Sequence, residues 1–450
     1  MMTKNLPPFD LRNRCHYWMG HFIPAEMSYA VTLEGKIDQA LLKKAAENIV
    51  LHSPVLQTRI KSILGSIFRF VKKDKNFNID SIFSINDNPH GDPWGIHEIP
   101  DETTIHFIND YMNLSKTPPV RFHLSYRKND NNEDESVFLL KLHHSAGDGL
   151  AGFILASKVF QEYNSLCNKD NKIDLPLHPP HYSMDSLKKQ LKAPIPSAPA
   201  KKEGTISYVR DNDTTSGKTK TIVYTLLPNE FRAIKDMSKA AQYTINDLTM
   251  AIIAKTIYNM LIKRNRPIDI IRIEQPIGLR EELKIKGGIA NFFSLFSIDL
   301  SKEDFSDDVK LTQVVKAKIK EKMDAKEHIR LLFGGGFLKI IPSELLKLLV
   351  KYSAKQFLNG KSNLTTTLAN LGRLDNMVES PFDHKITHAW SLTPAQFTYG
   401  MDWLANTINN NMAINLVYYN PAITDETALE TLDELKKVIR EFITIKPGDL

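Results

Sequence analysis

The run His143-His144-Ser145-Ala146-Gly147-Asp148-Gly149 constrains this chain more than any other feature. It follows the apolar segment Val137-Phe138-Leu139-Leu140-Lys141-Leu142 and precedes a helical pattern from Leu150 to Tyr163, so the order reads strand, tight loop, helix. A strand end is a rigid platform, and a histidine placed there can be held still while a neighbouring opening exposes it to a reactant. Side chains alternate along a strand, which puts His144 on the face of Leu142, Leu140 and Phe138, and His143 on the other. The two imidazoles therefore have different roles. Gly147 and Gly149 let the backbone bend around Asp148, whose carboxylate falls in the first turn of a helix, where the dipole favours negative charge.

Two plainer readings compete. A lone histidine, or an Asp before a helix, is ordinarily a core side chain or a cap. Two His, one Asp and two Gly at fixed spacing on one loop are hard to assign to chance. A zinc site is the other alternative, but adjacent histidines lack the i, i+4 spacing that puts two ligands on one helix face. No Glu or Cys stands where it would complete the set, so no metal is expected.

The 450 residues are 42% hydrophobic, ample for two or three domain cores. Two cysteines, Cys15 and Cys167, cannot build a disulfide framework and point to a reducing, cytoplasmic compartment. The start Met1-Met2-Thr3-Lys4-Asn5-Leu6-Pro7-Pro8 lacks the apolar core of a signal peptide, and no uncharged apolar run is long enough to span a membrane. A net charge of +6, from 58 basic and 52 acidic residues, suits a phosphate-bearing small molecule better than nucleic acid.

Along the chain, strand Ala30 to Leu33 leads to a helix from Asp38, its N-cap, to Val50, with Leu41, Leu42, Ala45, Ala46 and Ile49 facing inward. Strands Val55 to Lys61 and Ile67 to Val71 flank a turn at Leu64-Gly65, and helix Glu102 to Met112 and strand Val120 to Arg127 precede the motif strand. Residues 168–220 change character, with six prolines between Pro176 and Pro199, and read as a linker or crossover, with a functional lid as the second reading. The second half opens with strand Thr221 to Leu226 and a helix Pro228 to Ala241 that buries Phe231, Ile234 and Met237. Thr244 and Asp247 form a capping box for helix Ile245 to Lys263. Strands Ile268 to Gln275 and Phe292 to Leu300, helix Asp308 to Lys322, strands Ile386 to Leu392 and Asn411 to Tyr419, and helix Asp425 to Thr444 complete it. The expected organisation is an N-terminal lobe 1–167, a linker 168–220 and a C-terminal lobe 221–450. The apolar stretch Leu331 to Leu349 reads as buried core, with an acyl pocket or a lipid contact as alternatives; its Gly334 to Gly336 lacks the Lys-Ser/Thr of a phosphate loop.

The motif His-His-x-x-x-Asp-Gly resembles the signature of the superfamily of chloramphenicol acetyltransferase, nonribosomal peptide synthetase condensation domains, alcohol acetyltransferases and wax ester synthases. Other segments resemble it in order: His52-Ser53-Pro54-Val55-Leu56-Gln57-Thr58-Arg59, Pro118-Pro119-Val120-Arg121, Thr244-Ile245-Asn246-Asp247, Gln275-Pro276-Ile277-Gly278-Leu279-Arg280, Asn291-Phe292-Phe293-Ser294 and Thr367-Leu368-Ala369-Asn370-Leu371-Gly372-Arg373. Gln57 stands where the family usually has Arg, and Gly278 where Asn is common. The Asp-Phe-Gly-Trp-Gly motif of the plant branch is absent. The resemblance spans about residues 10 to 435. It implies an α/β (α+β) fold of two chloramphenicol-acetyltransferase-like lobes side by side, with an active-site tunnel between them.

Acyl transfer from a thioester needs one base, because the acceptor hydroxyl or amine is the weak partner. His144 fits that role, taking the acceptor's proton and returning it to the leaving thiolate. No covalent intermediate is required. The oxyanion would meet backbone N–H groups near Gly149 or the Asn370 amide, although Ala-Asn-Leu-Gly is also a good turn. The resemblance pairs Asp148 with Arg280, a structural ion pair between the lobes. The leading expectation is an acyltransferase with acyl-CoA as cosubstrate, no bound cofactor, and a small alcohol or amine acceptor. A condensation-type enzyme fed by an acyl carrier protein is second, and a non-catalytic binding protein third.

Overall fold

A computed structural model describes residues 11–22, 25–63, 66–72, 77–86, 102–129, 131–168, 204–214, 216–285, 287–329, 341–358, 363–393 and 400–445. Most of the expected linker, the Leu64-Gly65 turn and Gly334 to Gly336 lie outside them.

The first half supplies helix α1 (Leu11–Met19), strand β1 (Glu26–Glu34), helix α2 (Gln39–His52), the hairpin β2 (Thr58–Ile63) and β3 (Ser66–Val71), strand β4 (Phe83–Asn86), helix α3 (Glu102–Asn109), strands β5 (Val120–Lys128) and β6 (Asp134–His143), and helix α4 (Gly149–Asn168). The second half supplies β7 (Lys218–Thr225), α5 (Pro228–Ala240), α6 (Ile245–Lys263), β8 (Ile270–Gly278), β9 (Phe293–Ser301), α7 (Asp308–Asp324), α8 (Ser343–Leu358), β10 (Thr366–Arg373), β11 (Ile386–Leu392), β12 (Met401–Ile408), β13 (Asn411–Asn420) and α9 (Asp425–Phe442). The strands form two main sheets, one in each lobe.

Helix starts follow local chemistry. Asp38 accepts from the amides of Ala40 and Leu41, and Thr244 and Asp247 cap α6 reciprocally at 2.8 and 3.0 Å. Helices α2 and α4 bury Leu42, Ala45, Ile49, Phe153 and Val159 against Tyr29, Phe138 and Leu140 of the first sheet. In the second lobe, α6 and α9 cover the sheet with Ile253, Ile257, Leu435 and Ile439.

The first sheet runs β11-β1-β6-β5-β4, and the second β7-β13-β12-β10-β8-β9. A division at residue 221 therefore does not separate the sheets. Strand β11 lies between β10 and β12 in sequence, yet pairs antiparallel with β1, Ala30 opposite Trp390. An edge strand leaves alternate carbonyls unpaired. Here Asn406 and Asn415 of the second sheet donate to the carbonyls of Ala389 (2.7 Å) and Ser391 (2.8 Å), and Asn411 donates to that of Thr387. Asparagine side chains thus stand in for a strand and tie the lobes together. Between them Ala30, Leu139, Trp390, Leu404 and Val417 form a shared apolar layer.

Five elements went unread in the sequence, among them the short strand β4 and helix α8. Strand β10 contains Ala-Asn-Leu-Gly, which is also a good turn, strand β12 is buried at every position and so shows no alternation, and α1 is only nine residues long. Helix α3 stops at Asn109, short of the expected Met112, and Asn109 instead bonds both backbone groups of Thr219.

Candidate active site

Strand β6 ends at His143, whose N–H donates to Pro119 O; the N–H of His144 then donates to Ala25 O and that of Ala146 to His143 O, which turns the chain. Gly147 has to be glycine, because a Cβ there would lie 2.6 Å from the Ala151 Cβ and 2.9 Å from Leu142.

The two histidines part as strand parity requires. His143 is buried, and its Nδ1 accepts from the Ser145 N–H at 3.1 Å. Burial first, and then the neighbouring His144 and His21, push its pKa down to about 3, so it is a neutral imidazole at ordinary pH. His144 is half-buried and lines a cavity of about 270 Å³. Met27 and Tyr29 line it too; their cross-strand partners are Leu142 and Leu140, the face expected for His144. The second lobe contributes Pro276, Gly278, Asn370 and Leu404. The cavity is largely apolar and opens between the lobes, a common place for ligands. Ser145 is buried and is not part of its lining.

Asp148 is fully engaged. Its Oδ2 accepts from Arg280 Nη1 and from the Phe292 N–H, both at 2.7 Å, and its Oδ1 accepts from the Ala151 N–H at 3.1 Å. Arg280 also donates to the carbonyls of Gly288 and Ala290 and lies over the Phe292 ring. Tyr29 Oη donates to the Asp148 carbonyl at 3.0 Å. The carboxylate thus fastens the loop, the start of α4 and the second lobe. Gly149 lines the cavity at the helix start. Asn370 does as well, with its Oδ1 taken by the Gly372 N–H at 3.0 Å, an Asx-type turn built into the strand.

Sequence reasoning missed what lies over His144. The His16 ring of α1 stacks on it, centroids 3.8 Å apart and planes 10° from parallel, and Phe293 packs beside both. Asn291 Nδ2 donates to the His144 carbonyl at 2.7 Å and to Asn13 Oδ1 at 2.6 Å. Only the segment Asn291 to Ser294 carried a signal. His16 and Asn13 sit in a short polar helix and approach through the fold alone.

Two αβ lobes closing on a His-His-x-x-x-Asp-Gly loop define the CoA-dependent acyltransferase superfamily. Within it the chain belongs to the condensation-domain family, whose model matches residues 24–333. Among solved structures, the starter condensation domain of rhizomide synthetase, solved with C8-CoA, has 12% identity and a TM-score of 0.63, covering 97% of this chain and 94% of that one. Trichothecene 15-O-acetyltransferase from Fusarium sporotrichioides has 10% identity and a TM-score of 0.61 over 95% and 94%. Polyketide synthase associated protein 5 from Mycobacterium tuberculosis has 14% identity and a TM-score of 0.59 over 96% of each chain. No curated protein sequence matches the chain.

Proposed function

We propose that the protein is an acyltransferase that moves an acyl group from acyl-CoA to the hydroxyl or amine of a small acceptor, with His144 as general base. The observation that carries this reading is the half-buried imidazole of His144 on an apolar cavity shared by both lobes, beside a His143 that burial keeps neutral. The His144 imidazole takes the acceptor's proton as the acceptor attacks the thioester carbon. The resulting tetrahedral centre collapses, the C–S bond breaks, and the proton passes to the departing thiolate. The atoms balance without a covalent enzyme intermediate. The oxyanion would meet the amides at the start of α4, around Gly149, or the Asn370 amide on the opposite wall. Asp148 and Arg280 act by holding the loop.

A screen of free thiol release over acyl-CoA donors with mixed alcohols and amines, with His144→Ala as the blank, tests it. The condensation-domain match favours a second reading, in which the thioester arrives on a carrier protein. The donors separate the two. A CoA enzyme is inhibited competitively by free coenzyme A and more weakly by its 3′-dephospho form, a difference of about 1–3 kcal/mol for charge-assisted hydrogen bonds. Equal inhibition by both forms, with turnover only from carrier-bound thioesters, would favour the second reading.

A further inference from the structure

We infer that the outward face of α8 is a docking surface for an anionic lipid bilayer. The inward face of this helix is already satisfied, with Leu346 and Val350 packed against Tyr17, Trp18, Ile60, Met112 and Leu114. The same helix carries a second apolar stripe that points into solvent. Leu345, Leu348, Leu349 and Tyr352 fall at i, i+3, i+4 and i+7, one face of a helix, and are 47%, 60%, 43% and 63% exposed. One inward stripe is enough to hold a surface helix, and a second contiguous one marks an interaction site.

Charge selects the occupant. Lys351 and Lys355 are exposed along the stripe, and the side chain of Lys347, over the Trp18 ring, is 41% exposed. The single acid in the helix is Glu344, 4.0 Å from Lys347. A two-fold contact between copies would set this patch against itself, bringing lysine to lysine. An acidic protein would also satisfy the lysines, and it is the alternative that the vesicle test separates. Leucines flanked by lysines, with a tyrosine among them, are what an interfacial helix needs to lie at the headgroup boundary. The helix lies on the bilayer and does not cross it: among the described residues no helix is long and apolar enough to span.

Helix α1 links this helix to the candidate site. Arg14 Nη2 donates to Ile341 O at 2.9 Å and to Ser343 Oγ at 3.2 Å, fastening the start of α8 to α1, and α1 carries His16. A docked bilayer would lie two helices from the cavity, and a substrate with an apolar chain partitions into that bilayer.

Flotation of the full chain with vesicles of phosphatidylcholine alone, or of phosphatidylcholine with a minority of phosphatidylglycerol, tests this. The protein should float with the anionic vesicles and bind the neutral ones ~10-fold more weakly. Leu348→Glu with Tyr352→Glu should lower anionic binding by ~10-fold or more, and Lys351→Glu with Lys355→Glu should lower it by ~10-fold or more as well. All variants should keep the parent's melting temperature and its turnover of water-soluble substrates. Absence of flotation with either vesicle, or parent-level binding by the leucine–tyrosine variant, overturns the inference. So does a parent dimer that the same variant dissolves, or capture of an acidic helical protein with no affinity for vesicles.

Discussion

Arg280 Nη1 lies 2.7 Å from Asp148 Oδ2, both side chains are buried, and 132 residues separate them. This pair joins the histidine loop to the second lobe. Removing one partner of a buried pair strands the other charge, at a typical cost of about 3–5 kcal/mol. Asp148→Asn and Arg280→Met should each lower thermal stability and turnover together, and the double variant should lose less than the sum. Strict additivity in thermal melts would contradict a direct contact.

The His16 ring stacks face to face on the His144 ring. With His144 as the proposed base, His16 would position it, so its effect should fall on kcat. His16→Ala should lower kcat by roughly 10-fold with KM little changed, because a misplaced base loses the aligned geometry. His16→Phe keeps a flat ring in that place and should recover most of the rate. A loss in KM alone, or no recovery by Phe, would speak against stacking as the cause.

Gly152 lies against Tyr29 so closely that an added Cβ would sit 2.2 Å from the ring. Tyr29 is buried, lines the cavity and holds the Asp148 carbonyl. Gly152→Ala should destabilise the fold by about 1–3 kcal/mol, as overpacking does, and lower activity along with it. Denaturant melts of the two proteins check this; an unchanged midpoint would mean that the ring has room to move.

His143 gives acid sensitivity a definite sign. Its folded pKa, about 3, lies below the ordinary value of 6.5, so between these pH values the unfolded chain holds a proton that the native one does not. Stability from this group is fully present above pH 6.5 and is lost as pH falls towards 3, by about 1.4 kcal/mol per pH unit. Comparing pH-dependent melts of the parent and His143→Asn should show a shallower acid slope in the variant. Identical slopes would contradict a neutral, buried His143.

Much of the site was legible because it is local. Strand, two glycines, an Asp and a helix start all lie within a few residues, and parity alone separated His143 from His144. The pairing of Asp148 with Arg280 followed from family resemblance and had no local signal. What stayed hidden is non-local or lacks a period. Strand β12 is buried on both faces, so it shows no alternation, and β10 carries Asn370 and Gly372 in a turn-like irregularity. The move of β11 into the first sheet is decided by the asparagines of β12 and β13, which only the fold brings to it. His16 reaches His144 for the same reason.

The central claim is that His144, and no other group on the loop, moves the proton. The direct measurement is the turnover of an acyl-CoA and acceptor pair found by the thiol-release screen, compared for the parent, His144→Ala and His143→Ala at matched folded fractions. The account expects His144→Ala to lose roughly 10²- to 10⁴-fold in kcat with its fold intact. His143→Ala should lose activity only in proportion to lost stability or loop geometry. A well-folded His144→Ala that turns over at the parent's rate, with His143→Ala inactive, would contradict it.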